Sequence, residues 1–167
     1  RALHYFLLMD GWGNIPFTLE PMTKPEQRSR AQMYEWLEQE LIGIEPALSE
    51  AKAKKSTDAG YGRVDKAACW LLLSRLYLNS EIYTGTAQWQ KAKEYADKVI
   101  KSSYRLNTVG KGGWTAYQML FMGDNGETDA AYEALLPLLQ DGLTTTSWGT
   151  SLFLIAGCFD GEMHANP

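Results

Sequence analysis

The sequence is poor in histidine and cysteine. It has two histidines and two cysteines in 167 residues. His4 and His164 lie far apart, and neither has a partner at ligand spacing, which argues against a zinc site. Cys69 falls within an apolar run and reads as a small buried hydrophobe, and Cys158 adds little. There is no G-x-S-x-G and no recognisable Cys/His arrangement, so nucleophilic catalysis has no visible machinery. Gly110-Lys111-Gly112 lacks the rest of a phosphate loop. A net charge of -4 and an isoelectric point near 5.2 speak against a nucleic-acid partner, which calls for a basic stripe. The densest basic run, Ala51-Lys52-Ala53-Lys54-Lys55, reads as a solvated loop. The longest apolar run, around Leu152 to Phe159, is too short to span a bilayer, and no signal peptide is visible. The chain opens at Arg1 on a helical run with neither cap nor initiator methionine, and is expected to lie inside a longer polypeptide.

What the sequence does have is apolar and aromatic content. Apolar residues make up 45% and aromatics 12%, with six Trp and nine Tyr, enough for one core and more aromatics than that core needs. The most telling stretch holds Trp70, Leu73, Ser74 and Tyr77. It nearly reproduces W-x2-L-G-x2-Y, the first-helix signature of a tetratricopeptide repeat, with Ser in place of Gly. Spacings of three, four and seven put these residues on one helical face. Ala92 and Ala96, four apart, supply small residues on the partner helix. Ala67 to Leu78 and Ala87 to Ser102 are therefore expected to form an antiparallel hairpin, with Trp70 and Trp89 in its core and Thr84-Gly85-Thr86 enlarging the connection.

Elsewhere, a first helix is expected to end at Asp10-Gly11, followed by an extended Trp12 to Phe17. Thr23, Pro25 and Glu26 read as a capping box opening a second helix, with Tyr34, Leu37, Leu41 and Ile44 as its apolar stripe and Pro46 as its limit. Asp65 reads as the N-cap of the third helix. After Tyr104 the character changes to loops, with one short helix possible in Trp114 to Phe121. The fold class expected is all-α, with tetratricopeptide-like hairpins over residues 1-104 and a loop-rich part over 105-167 within a single unit.

Three segments carry a family resemblance. Arg1 to Phe6 with Gly13-Asn14-Ile15-Pro16-Phe17, Tyr61-Gly62-Arg63-Val64-Asp65-Lys66-Ala67-Ala68 with Leu76-Tyr77-Leu78-Asn79 and Glu81-Ile82-Tyr83, and Thr145-Thr146-Ser147-Trp148-Gly149 before Ser151 to Ile155 resemble, in order and spacing, segments of the SusD/RagB family. Departures are Asp65 where the family has a hydroxyl cap, Thr150 where a second Gly is common, and the leucine-rich Ala130 to Gln140. The resemblance implies a middle portion of a Bacteroidetes surface lipoprotein. Such a protein would bind oligosaccharide or polysaccharide noncovalently for uptake through a SusC-like TonB-dependent transporter. It would sit at the outer membrane through a lipid anchor outside this segment, with no cofactor and no enzymatic activity.

A sugar site needs flat apolar faces for pyranose rings and polar groups for their hydroxyls. Trp148, in a polar loop, is the first aromatic candidate, with Asp141, Thr146 and Ser147 beside it. Trp12, Asn14 and Trp114 follow, with Tyr117 near the last. Two rival functions are a peptide-binding repeat adaptor, which would show several repeats of constant length, and a glycan-degrading enzyme. The enzyme would need two carboxylates across a cleft, and Asp124, Glu127, Asp129 and Asp141 are the scattered candidates. The Asp124 to Asp129 turn clusters oxygen ligands without calcium-loop spacing.

Overall fold

A computed structural model describes residues 1-139 of the chain, and Arg1–Leu136 form one compact unit. The expected helical architecture is present, with one small antiparallel sheet. The elements run α1 (Ala2–Trp12), β1 (Ile15–Phe17), β2 (Glu26–Arg28), α2 (Arg30–Ile44), α3 (Lys66–Leu78), α4 (Ser80–Thr84) and α5 (Trp89–Ile100). Short 3-10 turns follow at Glu45–Ala47, Gln118–Phe121 and Asp129–Glu133.

The hairpin is formed by α3 and α5. Near the start of α3, Trp70 lies under the Lys98 ammonium late in α5 (5.6 Å). Near its end, the Tyr77 ring meets Lys91 early in α5 (4.9 Å). That reversed order makes the pair antiparallel. Between them the Ser74 hydroxyl donates to the Ala92 carbonyl (2.9 Å), and Tyr77 stacks on Tyr95 at 5.6 Å. Small side chains at Ser74 and buried Ala92 permit this close approach, as the repeat spacing predicts. The enlarged connection contains α4, whose buried Tyr83 donates to Asp10 Oδ1 on α1 (2.5 Å).

Both tryptophans expected in the hairpin core are placed differently. Trp70 is half-buried, because its indole N–H needs an acceptor and finds Glu45 Oε1 at 2.7 Å. Trp89 is 61% exposed. It is the first residue of α5, and the contacts that mark this end of the interface, through Lys91 and Ala92, lie inside it.

The start of α2 is also corrected. Thr23, expected as its cap, turns its hydroxyl to the Glu20 carbonyl and to Thr18. Glu26 pairs with Phe17 in the β1–β2 ladder, with Gln27 opposite Pro16 and Arg28 opposite Ile15. The cap is Ser29, whose hydroxyl accepts from Gln32 N (3.3 Å) while Gln32 Oε1 accepts from Ser29 N (2.9 Å). This reciprocal box satisfies two backbone donors at once. Strand pairing decides between the two boxes, since residues 26-28 cannot serve the ladder and the helix together. α1 runs to Trp12, past the expected stop, and closes where Gly13, at φ 76°, donates its N–H to Met9 O (2.9 Å). A positive φ favours glycine there.

The core collects Phe6 and Met9 from α1, Ile15 and Phe17 from β1, Met33, Tyr34, Leu37 and Leu41 from α2, and Cys69, Leu73, Leu76 and Tyr77 from α3. Ile44, the last residue of the expected α2 stripe, is exposed. Beside this core, Tyr5, Phe17 and Trp36 pack ring to ring at 4.8 to 5.3 Å.

Asp65 is 4% exposed and fully engaged. Its Oδ1 accepts from Ala67 N (2.9 Å) and Ala68 N (3.2 Å), capping α3. Its Oδ2 accepts from Lys52 N (3.1 Å) and the Tyr104 hydroxyl (2.8 Å). Asp65→Ala is expected to lower the free energy of unfolding by about 2 to 4 kcal/mol, the sum of a lost cap and buried donors left unpaired. Asp65→Thr, which keeps the cap, should lose less. Urea denaturation followed by circular dichroism measures both, and a loss under about 0.5 kcal/mol for the alanine variant would contradict this role.

Burial raises the phenols of Tyr34, Tyr77, Tyr83 and Tyr104, Tyr34 to about 12. Hydrogen bonds to Glu38, Asp10 and Asp65 push the last three further. A tyrosine whose pKa rises on folding stabilises the fold fully below its unfolded value near 10 and loses that contribution as pH climbs through the folded value. The melting temperature should therefore fall steeply between pH 10 and 12. A phenolate absorbance titration should show a group of tyrosines ionising only as the chain unfolds. Independent ionisation of all tyrosines near pH 10 in the folded chain would refute it.

Candidate functional site

Of the seven residues expected at a ligand site, Trp12, Asn14 and Trp114 are described. Asp141, Thr146, Ser147 and Trp148 lie outside the described residues.

Trp12 is the last residue of α1 and is 74% exposed. Two residues on, Asn14 precedes β1, and its Oδ1 accepts the Arg30 N–H at 3.1 Å. That donor belongs to the first turn of α2, where backbone N–H groups lack intrahelical partners. Asn14 therefore joins the exit of α1 to the entry of α2, and its side-chain NH2 is left as the group that could meet a ligand, as a donor only.

Trp114 stands in a loop built by local hydrogen bonds. Lys111 and Trp114 exchange backbone bonds in both directions (3.1 and 3.0 Å) around Gly112 and Gly113, which have φ of 61° and 88°. Two consecutive positive φ values make a tight hairpin turn that glycine accommodates. At Gly110 a Cβ would come within 2.4 Å of the Trp114 carbonyl, so no larger residue fits. The Asn107 amide donates to the Val109 and Ala116 carbonyls, and the Asn107 N–H donates to Glu133. The Thr115 hydroxyl and N–H donate to Gln118 Oε1. On this frame Trp114 is 52% exposed. The expected short helix in Trp114 to Phe121 is reduced to a 3-10 turn at Gln118–Phe121.

That turn adds an aromatic pair, Tyr117 and Phe121, both exposed, with centroids 5.3 Å apart at 67°. Phe121 is not among the expected site residues, although its i,i+4 spacing from Tyr117 is the signal for such a pair. No ring contact or hydrogen bond between described residues joins the Trp12/Asn14 corner to Trp114.

Several charged groups around these loops are paired. Lys111 Nζ lies 3.3 Å from Asp124 Oδ2. Asp129 meets Lys55 (2.9 Å) and Arg105 (3.5 Å), and the Lys55 hydrogen bond holds its carboxyl below the usual range. Asp124 and Asp129 thus face different cations, and the Asn125 amide donates to the Leu120 carbonyl. An apolar cleft of about 630 Å³ lies elsewhere, lined by Leu41, Ile44, Leu48, Leu72 and Leu135, with Arg1, Arg75 and Glu133 its charged members. Its aliphatic lining does not offer the array of polar groups that sugar hydroxyls require.

The chain is 41% identical to the starch-binding protein SusD of Bacteroides thetaiotaomicron over 159 residues, 94% of this chain and 27% of that protein. Among solved structures it resembles surface glycan-binding protein A from Bacteroides uniformis, at 31% identity and a TM-score of 0.52, over 65% of this chain and 24% of that one. No protein-family model matches. The chain thus spans about a quarter of the length of these relatives. The likeness extends across nearly all of the sequence, and over that length what the chain resembles is the SusD-like family.

Proposed function

We propose that the chain takes part in noncovalent binding of an oligosaccharide or polysaccharide at the cell surface. The observation that carries this reading is the 41% identity, over 94% of the chain, to a protein named for starch binding. The surface glycan-binding protein among solved structures supports it. In the fuller form of the proposal the bound glycan passes to a SusC-like TonB-dependent transporter in the outer membrane, and a lipid anchor outside this segment holds the protein there.

Binding of this kind breaks no covalent bond. Aromatic planes lie against the apolar faces of pyranose rings, and amides, hydroxyls and carboxylates meet the equatorial hydroxyls. Trp148 is assigned the stacking face, with Asp141, Thr146 and Ser147 as its hydrogen-bonding neighbours. Trp114 and Trp12 supply further exposed indoles, and Asn14 supplies its NH2 group.

Trp148→Ala is expected to weaken glycan binding about tenfold or more, corresponding to on the order of 1 to 3 kcal/mol, while leaving the helical content unchanged. Titration calorimetry with a panel of oligosaccharides, starting with α-glucans, reads the effect. Unchanged affinity would remove Trp148 from the site, and no binding to any glycan would remove the reading itself. The second expectation is that the protein releases no reducing sugar from the glycans it binds. Turnover that disappears in Glu127→Gln or Asp141→Asn would make it an enzyme instead.

A further inference from the structure

We draw no further inference here: the strongest candidate, the apolar cleft of about 630 Å³ among Leu41, Ile44, Leu48, Leu72 and Leu135, carries nothing because nothing in the structure shows what covers it.

Discussion

One buried carboxylate holds the described part of this protein together. Burying a charge costs several kcal/mol unless its oxygens are satisfied, and Asp65 meets that condition by drawing donors from three places. Two are the Ala67 and Ala68 N–H groups in the first turn of α3, one is the backbone of Lys52, and one is the hydroxyl of Tyr104, beyond α5. The start of the central helix, the loop before it and the segment after the hairpin thus converge on two oxygen atoms. Around this point Lys66 N bonds Ser49 O, Ser56 N bonds Gly126 O and Arg105 N bonds Tyr132 O. Long irregular segments need such anchors, because they have no periodic hydrogen bonding of their own.

From this anchor the architecture follows by packing. α3 contributes five buried residues and is covered by α5 on one side and by α2, through Cys69 and the Leu41 carbonyl, on another. α1 and the short β1–β2 ladder close the far side of α2 through Phe6, Met9, Ile15 and Phe17. The loop that carries Trp114 is separately held by the paired backbone bonds of Lys111 and Trp114 and by the Asn107 amide. Its aromatic surface is therefore presented in a set geometry, which reduces the ordering cost of any contact it makes.

Much of this was legible wherever one local pattern had no competitor. The Trp70 to Tyr77 spacing implied the hairpin, and the extended Asp65 before an apolar run implied the cap. Legibility failed where a distant partner made the choice. Thr23 and Ser29 each head a plausible box, and pairing of Glu26 with Phe17 selects the second. Trp70 and Trp89 look equivalent as apolar helix residues, yet Glu45 draws one indole outward and the helix end exposes the other. At the candidate site, the exposure of Trp12 follows from its place at the end of α1, whereas the commitment of the Asn14 acceptor to Arg30 depends on a residue sixteen positions away and leaves no local trace.

Three tyrosines reach carboxylates on other elements: Tyr77 to Glu38, Tyr83 to Asp10 and Tyr104 to Asp65. Each bond joins a fixed donor to a fixed acceptor across 39 or more residues of chain. Losing the acid alone strands a phenol donor, whereas losing the phenol strands no acid, because Asp65 still caps α3, Glu38 still meets Lys91 and Asp10 is exposed. Evolutionary drift at these positions is therefore constrained in one direction: a lineage that abandons the Glu38 carboxylate is expected to abandon the buried Tyr77 hydroxyl with it, whereas Glu38 can outlast the hydroxyl on Lys91. These pairings would be written as correlated changes in related sequences rather than as invariance at either position.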